Sequence, residues 1–263
     1  MCIASTSFVE LTTIRGLYRL GPCFVTFLQN EDLKKSGDIH IAISDETIEA
    51  VIKFKVRGNL RFLSHAEMLK VFQRACVRAG IKPAYSKGFN PRPKLFLPLP
   101  RSVGLETEDD LLCLRLETSA SSFDSEQFKA KLSSQLPEGC ELLTVSVAKA
   151  KTSFRANAVT HVLTIGREHI NEKLKNKIER LLASESLNLE RRRSPNSSNS
   201  KNVDVRPFLK SIELNDRGII VECEISPAGS IRIEEILKLL ELDAEKLAGP
   251  IRRTNVKWRV GES

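Results

Sequence analysis

The chain has 263 residues, of which 41% are hydrophobic and 28% are charged. This balance is typical of a folded protein and excludes wholesale disorder. The length exceeds that of one average domain, so we expect two domains with additional segments. No uninterrupted apolar run reaches the roughly 18 residues that a membrane-spanning helix needs, and we expect no membrane partner.

The cysteines and histidines give no sign of a metal site. The six cysteines, at positions 2, 23, 76, 113, 140 and 223, form no CxxC pair and no CxxxCxxC cluster. Zinc and iron–sulfur sites usually require closely spaced ligands, so we predict no metal and no cofactor in this chain. Buried, reduced thiols are expected instead, which indicates a reducing compartment and a cytoplasmic location.

Residues 1–50 show no sustained hydrophobic period and mix Ser, Thr and Cys with isolated apolar residues. Arg15 and Arg19 would interrupt the apolar core of a secretory signal. We therefore predict a poorly ordered N-terminal extension over residues 1–50.

A first structural unit is predicted over residues 51–150. Residues 51–57 alternate apolar and basic side chains as a half-buried strand does, and Ser64 with Glu67 forms a capping box that opens a helix to about Ala79. Strand, strand, helix and strand follow at 95–100, 111–117, 124–136 and 140–150.

The same order of elements is predicted again over residues 151–263. Strand, helix, strand, strand, helix and strand are expected at 158–166, 168–184, 205–214, 217–225, 231–242 and 253–260. Residues 191–203 are rich in Ser and Asn and predict a flexible loop, whose arginines offer a second phosphate contact or are merely solvated. We predict an α+β fold of tandem ferredoxin-like (βαββαβ) units with antiparallel sheets.

The positive charge is concentrated in the first unit. Residues 51–103 contain twelve Lys or Arg against one acid, Glu67, which is a net of +11 in a chain whose total is +8. Such a concentration is typical of a protein that binds a phosphate backbone, and the alternative is a solvated basic face. The twelve are Lys53, Lys55, Arg57, Arg61, Lys70, Arg74, Arg78, Lys82, Lys87, Arg92, Lys94 and Arg101.

The segment SKGFNPRPK, residues 86–94, is predicted to be a stiff loop because its glycine and prolines restrict the backbone. Tyr85 and Phe89 could stack on bases, Asn90 could read a base edge, and the loop cations could contact phosphates. In the alternative interpretation both rings fill the core. The predicted RNA-binding residues are Arg61, His65, Lys70, Arg74, Arg78, Tyr85, Lys87, Phe89, Asn90, Arg92 and Lys94.

His65 is the one weak candidate for catalysis. It is predicted at the first position of its helix, where the helix dipole favours a bound anion. General base chemistry on a ribose hydroxyl is conceivable there, but no second acid or base is identifiable in the sequence. A structural histidine is the alternative.

Residues 58–100, from GNLRFLSH through AYSKGFNPRPK to LPLP, resemble the radical SAM-linked family, a domain of unknown function. The match is strong only in the first half of the chain, and Lys87 stands where the family commonly has Gln. Members of that family are fused to a cobalamin-binding radical SAM protein or encoded separately. The resemblance implies such a protein as a partner, and any radical chemistry would reside there, because this chain has no cluster-binding cysteines.

These features together predict an RNA-binding accessory protein that presents tRNA or rRNA to a separate radical SAM enzyme. Two alternatives remain open: a metal-independent endoribonuclease that uses His65, and a protein-only adaptor with a basic docking face. The first requires RNA turnover without metal, whereas the second requires tight protein binding without RNA binding.

Overall fold

The structure is a computed structural model and describes residues 47–149, 151–192 and 200–261. These residues form four helices: α1 (His65–Arg78), α2 (Ser125–Ser133), α3 (Glu172–Ala183) and α4 (Ile233–Leu240). They also form eleven strands: β1 (Thr47–Val56), β2 (Leu95–Phe96), β3 (Glu106–Glu117), β4 (Cys140–Lys149), β5 (Ser153–Leu163), β6 (Asn188–Arg192), β7 (Ser200–Asp204), β8 (Leu209–Asn215), β9 (Gly218–Ser226), β10 (Gly229–Ser230) and β11 (Arg252–Gly261). β1 begins within the predicted extension, and residues 1–46 lie outside the described residues.

Nine of these strands form one sheet. Its order is β10-β9-β5-β11-β3-β1-β4, with β2 also paired to β3 and β8 also paired to β9. Every pairing is antiparallel except that of β11 with β3, which is parallel. The predicted α+β class is confirmed, with a mostly antiparallel sheet.

In the first half, successive side chains of β1 point to opposite faces of the sheet, and those of its even-numbered residues pack in a core shared with α1 and α2. The rings of Phe54 and Phe72 meet edge to face, with centroids 4.9 Å apart. The predicted capping box is present, since Ser64 accepts from the Glu67 amide and the Glu67 carboxylate accepts from the Ser64 amide. The helix is therefore fixed at its start by its cap and along its length by packing.

In the second half, α3 and α4 cover a separate core that includes Leu163 and Ile219. The segment predicted as a flexible loop at 191–203 is partly regular, because β6 and β7 pair antiparallel on either side of residues 193–199, which lie outside the described residues. Arg191 is not a free phosphate contact. Its guanidinium binds both carboxylate oxygens of Glu235, at 2.6 and 2.7 Å.

Residues 97–101 cross from one core to the other, and we call them the strap. Leu97 packs against the first core and Leu99 against the second. The guanidinium of Arg101 is buried and donates to four backbone carbonyls, three of residues before it in the sequence and one of a residue after it. The acceptors are the oxygens of Leu60 (3.2 Å), Arg61 (2.9 Å), Leu63 (3.0 Å) and Leu105 (2.8 Å).

A second buried arginine joins the two halves of the sheet. Arg253 on β11 donates to Asp110 on β3 at 2.6 Å and to the Pro100 carbonyl of the strap at 3.1 Å. In register, Arg253 lies between Thr107 on β3 and His161 on β5. Burial, with a smaller contribution from the charge of Arg253, lowers the pKa of His161 to about 3.

We predict that Arg101→Lys lowers the free energy of unfolding by on the order of 3 kcal/mol. An ammonium group cannot reach carbonyls spread over four residues, so buried acceptors lose their donors. Urea denaturation measures the change. Arg92→Lys, the same substitution at an exposed site, is the matched control and should leave stability unchanged. Equal stability of Arg101→Lys and the wild type would contradict the role of the guanidinium.

We predict that stability decreases below pH 6.5 because of His161. The unfolded chain takes up a proton at the ordinary histidine pKa of about 6.5, whereas the folded chain does not until about pH 3. The contribution of His161 is thus fully present above pH 6.5 and lost progressively down to pH 3, at about 1.4 kcal/mol per pH unit.

Between pH 7 and pH 5 the wild type should therefore lose about 2 kcal/mol more than His161→Gln. The measurement is the free energy of unfolding in urea at both pH values. Parallel pH profiles of the two proteins would show that His161 can be protonated in the folded state.

Candidate nucleic-acid interface

The predicted loop at 86–94 belongs to a short segment closed by a single bridge between Tyr85 and Pro93, which we call the tip loop and define as residues 84–94. The Ser86 amide donates to the Arg92 carbonyl at 2.9 Å, and the Arg92 amide donates to Ser86 Oγ at 2.9 Å. Lys94 closes the base by donating its amide to the Ala84 carbonyl at 2.7 Å. Backbone bonds thus hold the loop in shape.

The base of the tip loop is attached to the sheet through Arg115 of β3. The Ala84 amide donates to the Arg115 carbonyl at 2.8 Å, and the Arg115 amide donates to the Lys94 carbonyl at 2.9 Å. The Arg115 side chain is itself paired with the buried Glu49 at 2.9 Å. The loop therefore extends from a rigid strand.

At its end, the tip loop presents aromatic side chains to solvent. Phe89 is fully exposed and Tyr85 is 48% exposed, so neither ring fills the core. Gly88 has a φ of 150°, a conformation that other residues rarely adopt. Lys87, Asn90 and Arg92, which are close to Phe89 in the sequence, are also exposed. A ring exposed in this way is available to stack on a ligand.

Four of the twelve bases in residues 51–103 are in ion pairs, and a fifth, Arg101, is buried. Acids of β3 and β4 neutralise four of them, and backbone carbonyls hold Arg101. The ion pairs are Lys53 with Asp109 (2.8 Å), Lys55 with Glu141 (2.6 Å), Arg57 with Glu108 (3.3 Å) and Arg61 with Glu106 (3.7 Å). The local excess of positive charge is accordingly smaller than the sequence count.

The other seven bases are exposed, and none is in an ion pair with any described residue. They belong to two neighbouring segments only, α1 and the stretch that follows it. They are Lys70, Arg74 and Arg78 on α1, and Lys82, Lys87, Arg92 and Lys94 after it. Folding therefore leaves these seven charges on α1 and on the segment at 82–94 that includes the tip loop.

Arg78 also has a structural contact. Its guanidinium donates to the Gln135 carbonyl at 2.6 Å, just after the end of α2. Arg74 and Arg78 line a cavity of ≈ 290 Å³ beside this turn. Because carbonyls at a helix end attract cations, Arg78 contributes to the packing of α1 on α2, and Lys70 and Arg74 are the freer members of the set.

His65 is the first residue of α1 and Arg61 lies in the turn before it, so both precede the tip loop in the sequence. The Arg61 guanidinium donates to the Gly58 carbonyl at 3.1 Å and stacks 4.4 Å over the ring of Phe62. His65 is partly buried, and its Nδ1 has no hydrogen-bond partner among the described residues. Since no described acid or base bonds to it, the geometry supplies no acid–base pair for RNA cleavage.

The sequence interpretation missed two features of this region. Arg101 was counted with the surface bases although it is buried, and only the folded positions of its carbonyl partners reveal this. Phe62, 54% exposed beneath Arg61, was not considered. An aromatic residue next to an arginine is a weak signal that could have drawn attention to it.

The described cysteines are unpaired. Cys76, Cys113 and Cys223 are buried, and burial raises the pKa of Cys76 to about 11 and those of the other two to about 12. Within the described ranges, no three His, Cys, Asp or Glu residues lie together as a metal site requires. The helices in those ranges are also too short and too polar to cross a bilayer.

The fold and this interface define a mixed α+β protein with an exposed aromatic loop that is anchored to β3 and contains unpaired cations. The chain belongs to the bacterial family described as "Uncharacterized protein conserved in bacteria (DUF2344)", whose model matches residues 50–239. That description contains no reference to radical SAM enzymes, so the resemblance to a radical SAM-linked domain stays a prediction. No curated protein matches the sequence.

We predict that Phe89→Leu and Tyr85→Leu leave the melting temperature essentially unchanged, because exposed rings contribute little to folding. Each substitution should weaken the binding of single-stranded RNA by about 1 to 3 kcal/mol, since leucine offers no face for stacking. Thermal melting and fluorescence anisotropy measure the two effects. Phe72→Leu, at a buried ring, is the matched control and should lower the melting temperature instead.

Proposed function

We propose that this protein is an RNA-binding accessory that presents tRNA or rRNA to a separate radical SAM enzyme. The observation that carries the RNA-binding part is the fully exposed Phe89 at the end of a loop whose backbone is fixed to β3. A phenylalanine side chain has only two rotatable bonds, so it loses little conformational entropy when it stacks on an unpaired base.

The unpaired cations support the same proposal. Lys87, Arg92 and Lys94 lie within the tip loop itself, and Lys70 and Arg74 lie on the helix that precedes it. Cations near a stacking ring provide phosphate contacts, which fix the position of a strand while the ring contacts a base. Protein interfaces, in contrast, favour aromatic residues but are depleted in lysine, so the composition of the tip loop favours RNA over an acidic protein.

The proposed link to a radical SAM enzyme depends on sequence resemblance alone. The segment LRFLSH, the tip-loop sequence and the strap sequence LPLP are the motifs that resemble that family. LRFLSH leads from the turn before α1 into the first residue of that helix. The second motif forms the tip loop, and LPLP lies in the strap. In this proposal the partner supplies the cofactor chemistry and this chain supplies RNA.

We also propose that the chain contains two ferredoxin-like units in tandem. Within the first half the strand order is β4-β1-β3-β2, and within the second half it is β11-β5-β9-β8, with all neighbours antiparallel. Both halves therefore have the same βαββαβ order with the same arrangement of strands, and β6 with β7 is an insertion in the second.

We predict that RNA affinity falls steeply with salt and that Lys70→Glu with Arg74→Glu weakens binding to every sequence tested. Each lost phosphate contact should reduce the slope of log affinity against log salt by about 1. Filter binding of a structured tRNA and a single-stranded oligonucleotide at several salt concentrations measures both quantities. Because the two side chains are exposed, the fold should be retained.

The matched control is Lys210→Gln with Lys257→Gln, two lysines that are both paired with Glu222 in the second half. This variant should bind RNA like the wild type. Binding that does not depend on salt, or an equal loss in both variants, would contradict the proposed interface.

Absence of RNA binding together with tight capture of an acidic protein would favour the adaptor. Metal-independent cleavage that is lost in His65→Ala would favour the endoribonuclease.

A further inference from the structure

A second group of cations lies on α3, outside the region in which the sequence concentrates its charge. Lys173, Lys177 and Arg180 recur at intervals of four and three residues, which places them along one face of the helix. All three line a cavity of ≈ 640 Å³, the volume of which is typical of small-molecule sites. A smaller cavity of ≈ 170 Å³ adjoins it and shares Lys173 and Lys177.

The charge in this groove is only partly neutralised. Lys177 is paired with Glu241, the carboxylate that follows α4. Lys246 donates to the Glu241 carbonyl at 2.8 Å and is paired with Asp243. Lys173 and Arg180 have no ion-pair partner among the described residues. Three cations against one carboxylate leave the large cavity with a net charge of about +2, carried by Lys173 and Arg180 on either side of the Lys177 pair.

The position of Glu241 is itself unusual. It is one of two described residues other than glycine with positive φ, at 56°. The hydrogen bond from Lys177, together with the charges of Lys177, Lys173 and Lys246, holds the pKa of Glu241 below its usual range. Lys173, Lys177 and Lys246 thus all act on the carboxylate at the end of α4.

The walls of the groove also contain apolar surface. Leu181 lines the large cavity, and Leu174, Leu240 and Leu242 line the smaller one. Asn176 and Ser184 add neutral polar groups at the large cavity. A site with apolar walls and two unpaired cations suits a ligand that has an uncharged body and a compact anionic group.

We propose that the groove between α3 and the end of α4 binds a small organic phosphate monoester. A phosphate monoester carries a charge of about −1.5 to −2 at pH 7, which matches the net charge of the cavity, whereas a single carboxylate carries only −1. Arg180 provides the planar donor fork suited to phosphate oxygens, and Lys173 provides a point charge. The body of the ligand lies against Leu181. This site is independent of the proposed RNA interface in the first half.

The experiment compares three probes by isothermal titration calorimetry: adenosine monophosphate, adenosine and inorganic phosphate. The monophosphate should bind saturably, inorganic phosphate more weakly, and adenosine not measurably. Below pH 6 the affinity for the monophosphate should fall, because its second proton returns at a pKa of about 6 while Lys and Arg stay charged.

Arg180→Gln and Lys173→Gln should each weaken the monophosphate about tenfold or more, as expected for the loss of a charged hydrogen bond. Lys175→Gln is the matched control on the same helix, since Lys175 is paired with Glu172 and does not line either cavity. It should bind like the wild type. Glu241→Gln removes the only carboxylate that lines the large cavity among the described residues and should strengthen binding several-fold.

The proposal is overturned if no phosphate probe binds saturably, if adenosine binds as well as its monophosphate, or if Lys175→Gln loses as much affinity as Arg180→Gln. Melting curves without ligand establish that each variant is folded. Since RNA binding is measured separately with the Lys70 and Arg74 variant, failure of the phosphate site and failure of the RNA interface give different results.

Discussion

The two halves of the sheet are held together by a very short contact, and the buried Arg253–Asp110 ion pair is its chemical centre. β11 and β3 share only two register pairs, at residues 252–253 and 106–107. So few backbone pairs contribute little to holding the two halves of one sheet together. The ion pair and the bond from Arg253 to the Pro100 carbonyl add side-chain links between β11, β3 and the strap at this point. Removal of one partner would leave a buried charge uncompensated.

The same junction determines where the candidate RNA interface lies. The first residues of β3 form the junction with β11. Near the other end of β3, the backbone of Arg115 holds the base of the tip loop. Acids at the start of β3 pair with Lys53 of β1 and with Arg57 and Arg61, which follow it. Among the exposed bases of residues 51–103, those without an ion pair to a described residue lie on α1 and at positions 82–94. A single strand thus joins the two halves and also neutralises three bases of the first half.

Much of the local structure could be predicted from the sequence, because its causes are local. The capping box at Ser64 and the start of the helix predicted at 124–136 each depend on a few consecutive residues. Exposure of Phe89 was one of two open alternatives, since a loop sequence does not reveal whether a ring turns inward. The partners of Arg101 and the allocation of Leu97 and Leu99 to different cores depend on contacts distant in sequence, which no local pattern encodes. For the same reason, a count of charges overestimated the basic surface.

The parallel pairing of β11 with β3 has a consequence for the order of folding. β11 follows β3 by more than 130 residues, whereas β1, β2, β3 and β4 can pair as soon as residue 149 is available. Contacts so distant in sequence form late, because a long loop must close first. Until β11 arrives, the edge of β3 at residues 106–107 lacks its neighbour and Asp110 lacks its arginine. We therefore expect the first half to pass through a stage with an open strand edge and an unpaired carboxylate, a negative group that disfavours the addition of other strands there.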